Sequence, residues 1–167
     1  MRIGHGYDAH RYEAGRRFVI GGVTVPSDFG MAAHSDGDVL AHALMDALLG
    51  AAGLPDIGKQ FPDTDGEFKD ISSMVLLQRT VEIIRRVGLE IEYVDCTVIA
   101  QAPKLSPYIE DMKKTLAENA GIKARQINVK ATTEEKMGFT GSLEGIAAHA
   151  VCLLVERGRV LSSNGNF

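Results

Sequence analysis

The side chains with most chemical potential begin near the amino terminus. Asp8-Ala9-His10 places two metal-capable groups at i and i+2, on one face if the segment is a strand, together with Gly4, Gly6 and Tyr12. His42 offers a third ligand from further along the chain. Two imidazoles and one carboxylate suit a zinc ion whose fourth position stays open for water or a phosphate oxygen. An Asp-x-His triplet alone is more often an ordinary core or surface feature, so the neighbourhood decides. Asp38, His42 and Asp46 follow one another at i+4 steps, a stripe of carboxylate, imidazole and carboxylate among alanines and leucines. A metal on His42, with Asp38 or Asp46 orienting its other ring nitrogen, would satisfy that stripe. The plainer alternative is a solvated helix face.

Two further clusters suit phosphate. His34-Ser35-Asp36-Gly37-Asp38 contains the S-x-x-D capping-box spacing, which leaves helix amides and the positive dipole end near an incoming anion. Lys130-Ala131-Thr132-Thr133-Glu134-Glu135-Lys136 breaks an alternating pattern with hydroxyls that can donate to phosphate oxygens and a carboxylate able to hold Mg²⁺, unless it is a simple strand-to-loop transition. Ala100-Gln101-Ala102-Pro103-Lys104-Leu105-Ser106-Pro107 is either a proline-shaped turn or a small-residue platform on which a planar base is read by backbone groups.

The elements that position these groups follow from periodicity. Arg2 to about Tyr12 reads as a strand, and Phe18–Ile20 and Val23–Val25 flank Gly21-Gly22 as a hairpin. Apolar residues recur at helical spacing from Asp38 to about Ala52, from Ile71 to Val87, and from Pro107 to Ala120, each closed by a glycine. The segment from Leu54 to Lys69 is an Asp/Gly/Pro-rich loop long enough to be part of a site. Strands are expected at Ile91–Ala100, Gln126–Thr133 and Ile146–Val155. Strands alternating with helices give a two-layer α/β domain with some parallel pairing. If helices cover one face only, the other, carrying Tyr93, Thr97 and Ile99, demands a partner, most simply further copies of the chain.

Composition narrows the partners. The 167 residues fit one domain over 1–167, and 45% hydrophobic with 24% charged residues is the mixture of a globular chain. The 18 basic residues are outnumbered by 22 acidic ones, so no global positive field would gather nucleic acid or anionic lipid. Cys96 and Cys152 lack the spacing of a zinc or redox pair and read as reduced core thiols. The first residues do not resemble a secretion signal and no long apolar run occurs, which points to the cytoplasm, or to a plastid if a transit peptide has been removed.

Taken in order, Arg2-Ile3-Gly4-His5-Gly6-Tyr7-Asp8-Ala9-His10, His34-Ser35-Asp36-Gly37-Asp38, Asp56-Ile57-Gly58-Lys59, Phe61-Pro62-Asp63-Thr64-Asp65, Ala100-Gln101-Ala102-Pro103-Lys104, Lys130-Ala131-Thr132-Thr133-Glu134 and Gly138-Phe139-Thr140-Gly141 resemble the 2-C-methyl-D-erythritol 2,4-cyclodiphosphate synthase family in its single-function form. The resemblance implies a mixed sheet with helices on one face and a homotrimer assembled through the sheet faces, with active sites between subunits. It implies zinc on Asp8, His10 and His42, and a magnesium or manganese ion placed by Glu135. Residues Ala100, Gln101, Ala102, Pro103, Lys104, Leu105 and Ser106 would hold cytosine and ribose, with Thr132 and Thr133 on the diphosphate and Glu134 and Phe139 nearby. Asp56, Ile57, Gly58, Phe61, Pro62, Asp63, Thr64 and Asp65 would hold the methylerythritol phosphate together with His34 and Ser35.

The implied reaction is intramolecular attack of a 2-phosphate on the β-phosphorus of a cytidine diphosphate ester, releasing CMP, with His34 and Thr133 stabilising the transition state. Charge neutralisation, alignment and exclusion of water carry such a step, and no side-chain nucleophile is needed. One departure is Ser142, where many bacterial members carry arginine; by the same resemblance its absence weakens binding of isoprenoid diphosphates in the trimer channel. Two rival readings keep part of the pattern: a zinc phosphohydrolase that activates water, and a non-catalytic nucleotide-binding trimer with structural histidines.

Overall fold

In the computed structural model, residues 1–62, 66–68 and 71–158 are described. Strand β1 (Arg2–Ala14) is followed by the short strands β2 (Phe18–Ile20), β3 (Val23–Val25) and β4 (Phe29–Met31). Helix α1 (Val39–Ala52), the single turn α2 (Ile57–Gln60), helix α3 (Ser73–Arg86), strand β5 (Leu89–Ile99) and helix α4 (Ile109–Ala120) come next. Strand β6 (Ile127–Thr132), the turn α5 (Gly138–Gly141) and strand β7 (Gly145–Glu156) complete the order. The main sheet runs β4-β1-β7-β5-β6; β2 and β3 form a separate hairpin. It is mixed, because β5 and β6 are parallel while β1, β4, β5 and β7 pair antiparallel.

Alternation decides which face is covered. Along β7, Ile146, Ala148, Ala150, Cys152 and Leu154 are buried, whereas Val151 is exposed. Along β1 the covered side is made by Gly4 and Gly6. A β-carbon at Gly4 would stand 1.9 Å from the Ala47 carbonyl oxygen, and one at Gly6 1.9 Å from that of Ala43. Only glycine lets α1 lie this close to β1. That contact brings His42, one residue before Ala43, over Asp8 and His10. The other face stays open, with Ile3 75%, Tyr7 47% and Val151 44% exposed.

The long elements lie where periodicity puts them, and the differences have local causes. Helix α3 starts at Ser73 with Ser72 as its cap, accepting from the Met74 amide, and not at Ile71. Residues 106–108 form a 3-10 turn before α4, as a proline near the start permits. The expected 54–69 loop contains α2 and a 3-10 turn at Gly66–Phe68. Three-residue β4 and four-residue α2 and α5 are too short for a periodic signal.

Asp38 is not a member of the stripe around His42. It is the α1 cap, accepting from Ala41 N at 3.0 Å and from Gly21 N and Gly22 N at 2.9 and 2.6 Å. The two glycines have positive φ, as a tight hairpin turn requires, and their amides dock the hairpin on the helix end. Burial pushes the Asp38 carboxyl up, and those amide donors oppose it. The first amides of α1 and of the hairpin turn are therefore capped by the protein's own Asp38.

Candidate active site

Strand β1 presents Asp8 and His10, and α1 presents His42. Asp8 Oδ2 lies 3.0 Å from His10 Nε2 and 3.1 Å from His42 Nδ1. The remaining ring nitrogens are engaged: His10 Nδ1 is 3.1 Å from the Gly37 carbonyl, and His42 Nε2 is 3.0 Å from Ser73 Oγ and 3.3 Å from Ser35 Oγ. A carbonyl only accepts, so His10 carries its proton on Nδ1. Ser73 Oγ donates to Asp36, so it accepts from His42 Nε2–H. With both rings neutral in these tautomers, the two imidazole lone pairs and the Asp8 carboxylate converge on one point, an arrangement that suits a cation. The ligand atoms of Asp8, His10 and His42 lie within 4.8 Å of one another. Two nitrogens and a carboxylate oxygen with one side open to a cavity fit zinc.

With no cation between them, the Asp8 charge draws a proton to His10 instead. Burial raises Asp8, but hydrogen bonds and charge from His10 and His42 outweigh it and hold the carboxyl well below the usual carboxylate range. Burial lowers His10, and contact with Asp8 overrides it, so His10 is raised. Neither Asp38 nor Asp46 orients His42, as the stripe suggested. Asp46 accepts from Ile57 N at 2.9 Å instead, tying α1 to α2. Burial also raises Asp46, helped by the charges of Asp56 and Asp8 and opposed by the Ile57 amide.

The triad opens into a cavity of about 650 Å³. Ala32, Ala33, His34 and Ser35 form one wall, Asp46, Asp56, Ile57, Gly58 and Phe61 another, and Phe68 and Leu76 close the side toward α3. Asp56 caps α2 by accepting from Lys59 N at 3.0 Å. With Asp8, Asp46 and Asp56 in one cavity, this end accepts hydrogen bonds and suits polyol hydroxyls; an anion is welcome there only beside a cation. Pro62 is exposed beside Phe61 and is not among the lining residues. Asp63, Thr64 and Asp65 lie outside the described residues.

A second cavity of about 300 Å³ lies where β5 and β6 end side by side, lined by Ala100, Gln101, Pro103, Lys104, Leu105 and Ser106 on one side and Ala131, Thr132 and Thr133 on the other. Tyr12 OH donates to the Ala102 carbonyl at 2.8 Å, so the loop hangs from the strand that carries Asp8 and His10. Lys136 N donates to Gln101 Oε1 at 3.2 Å. Glu135, at φ 52°, accepts from the Thr133 hydroxyl at 3.3 Å, and Glu134 accepts from Thr140. Phe139 lines neither cavity; with Tyr7, Ala9 and Glu144 it borders a smaller pocket beside β1. The two main cavities share no described lining residue.

The sequence model described as the YgbB family matches residues 1–155. The chain belongs to the YgbB family. A YgbB relative from Pseudomonas putida is 59% identical over 93% of this chain and 99% of its own length, and one from Pseudomonas aeruginosa is 57% identical over 94% and 100%. Both bear the name 2-C-methyl-D-erythritol 2,4-cyclodiphosphate synthase. Among solved structures, a CDP-bound synthase of that name superposes with a TM-score of 0.85 at 36% identity, covering 92% of this chain and all of the other. The bifunctional IspDF from Campylobacter jejuni gives 0.89 at 44% identity over 93% of this chain but 42% of that one, so this chain spans less than half of the bifunctional protein.

Some working residues gave no signal in the sequence. Ser73 reaches His42, and Asp36 reaches Ser73, across sequence gaps that no spacing rule bridges, and Leu76 and Phe68 look like ordinary core residues. Tyr12 was legible as sharing the face of Asp8 and His10, but not as the anchor of Ala102. Cys96 and Cys152 are free and buried, which pushes their thiols up to about 12 and about 11 and leaves them inert.

Proposed function

We propose that this chain is a 2-C-methyl-D-erythritol 2,4-cyclodiphosphate synthase, a phosphorus–oxygen lyase acting as one domain over residues 1–167. It converts 4-diphosphocytidyl-2-C-methyl-D-erythritol 2-phosphate to the cyclic diphosphate in non-mevalonate isoprenoid precursor synthesis. The observation that carries the reading is the convergence of the Asp8, His10 and His42 lone pairs at the mouth of an acceptor-rich cavity.

An oxygen of the 2-phosphate forms a bond to the β-phosphorus, the bond from that phosphorus to the bridging oxygen breaks, and CMP departs with the bridging oxygen and its electron pair. Asp8, His10 and His42 would hold a zinc ion and Glu135 a magnesium or manganese ion, which when bound would supply charge neutralisation and polarisation of the phosphate oxygens. Asp46 and Asp56 accept the diol hydroxyls and, with Ile57, Gly58 and Phe61, hold the carbon chain so that the 2-phosphate faces the β-phosphorus. Asp63, Thr64 and Asp65 belong to the same subsite. His34, Ser35 and Thr133 donate to the oxygens on which charge grows. Gln101, Lys104 and the backbone from Ala100 to Ser106 hold cytosine and ribose, and Thr132 fixes the diphosphate.

The separation of the two cavities and the open sheet face with Ile3, Tyr7 and Val151 support a homotrimer in which the nucleotide cavity of one subunit completes the metal cavity of the next. The same reading places the enzyme in the cytoplasm, where the thiols of Cys96 and Cys152 stay reduced. Phosphorus NMR of the turnover mixture tests it. Equimolar cyclic diphosphate and CMP are expected; orthophosphate or a linear product would mean a hydrolase.

A further inference from the structure

The Asp36–Ser73 contact joins three parts of the molecule: the loop before α1, the first turn of α3 and the metal ligand His42. Ser73 is fully buried and is the first residue of α3. Its amide donates to Asp36 Oδ2 at 2.9 Å and its hydroxyl to Asp36 Oδ1 at 2.5 Å, while Asp36 N donates to the Ile71 carbonyl at 3.2 Å. The hydroxyl separation falls in the range of a hydrogen bond to a charged oxygen. Because the carboxylate takes the hydroxyl proton, the Ser73 oxygen faces His42 Nε2, 3.0 Å away, only as an acceptor. That fixes the proton on Nε2 and leaves Nδ1 bare toward Asp8, 3.1 Å away. Asp38 N also approaches Asp36 Oδ1, at 3.3 Å, so the carboxylate is held from both sides.

We propose that Asp36 and Ser73 form a positioning pair that sets the tautomer and ring angle of His42, and so the metal affinity of the site. The same pair holds the α3 end against the triad and thereby registers Leu76, one turn further along α3, against the cavity it lines. Neither residue touches substrate in this account. The inference rests on the metal reading of Asp8, His10 and His42, and it specifies which side chains outside the ligand set make His42 bind through Nδ1.

Outer partners of this kind are worth about 10–100-fold in metal affinity. Competition against a chromophoric chelator should show Ser73→Ala binding zinc at least about tenfold more weakly than wild type, with Ser35 Oγ as a residual acceptor, and Ser73→Thr, which restores a hydroxyl, regaining most of the loss. Asp36→Asn, which keeps the shape but loses the acceptor facing the Ser73 amide, should also bind more weakly and serves if the added methyl of threonine is not tolerated. Nitrogen NMR supplies a readout that a purely structural role would not move. The His42 Nε2–H signal should be slow to exchange in wild type and lost in Ser73→Ala, with the rest of the spectrum retained. Zinc affinity of Ser73→Ala within about twofold of wild type would overturn the proposal, as that is far below an outer-shell effect. If wild type takes up no zinc, the metal reading itself fails. The Nε2–H signal, read in the metal-free protein, then decides the pairing separately: fast exchange or an Nδ1–H tautomer would refute it.

Discussion

The two cavities are built by opposite means. The metal cavity rests on regular elements in close contact: β1 and α1 touch backbone to backbone through Gly4 and Gly6, and the outer ring nitrogens of His10 and His42 have partners in the same chain. The nucleotide cavity is made of strand ends and a loop, with exposed Thr132 and Thr133, and is tied to the rest by Tyr12 and Gln101. A site that must hold three ligand atoms at fixed separations needs rigid supports. A site that reads a base by backbone groups and releases a product needs a reachable edge. The metal half therefore draws all three ligands from one subunit, while the nucleotide half faces outward.

His42→Ala breaks that contrast most severely. Turnover should fall by roughly 10³-fold or more, as loss of several kcal/mol of charge stabilisation implies. CMP binding at the nucleotide cavity, measured by calorimetry, should change little, because CMP lacks the β-phosphate and the two cavities share no described residue. Equal loss of both would mean that the halves are not independent.

Gly6→Ala tests the rigid support itself. The added methyl meets the Ala43 carbonyl, so the expected cost is about 1–3 kcal/mol by thermal or denaturant unfolding, accompanied by weaker zinc binding. Gly50→Ala on the same helix, where a β-carbon meets nothing within 4 Å, should instead gain about 0.5–1 kcal/mol. Similar behaviour of the two variants would show that close approach of α1 does not position His42.

Tyr12→Phe probes the looser half. Losing the hydrogen bond to Ala102 should cost about 0.5–1.5 kcal/mol, roughly two- to tenfold in CDP affinity, with zinc content unchanged. The smallest effect concerns the Asp95–Lys130 pair on β5 and β6, at 2.6 Å, which braces the strand beneath Thr132 and Thr133. Slight burial raises Asp95, but Lys130 and Asn128 outweigh it and hold the carboxyl below its ordinary value of 3.8. A carboxyl lowered in the folded state contributes stability above its unfolded pKa and loses it as pH falls through the folded one. Acid unfolding of Asp95→Asn should therefore show a slightly shallower loss of stability below that pH, and an unchanged profile would mean that the exposed pair contributes nothing.

How much of this was legible in the sequence depends on the range of the contact. Asp8 and His10 share a face because a strand alternates, and α1, α3 and α4 follow from apolar spacing over a dozen or more residues. The α/β layering with some parallel pairing was legible as alternating strands and helices, whereas the mixed sheet followed from the family resemblance. The role of Asp38 was misread, since one residue's shift turns a stripe member into a cap whose carboxylate serves the Gly21-Gly22 turn. Ser73 and Asp36 stayed hidden because their meeting depends on how the 54–72 segment returns to α1, which no local period encodes.

The central claim is that one cation, held by Asp8, His10 and His42, makes ring closure possible. It is tested most directly by stripping the protein with a chelator and titrating zinc back while following CMP release from the cytidylated substrate. Turnover should vanish on stripping, rise linearly with added zinc and saturate at one equivalent per subunit, with no recovery in His42→Ala. Full turnover by the stripped protein, or recovery that ignores His42, would contradict the account.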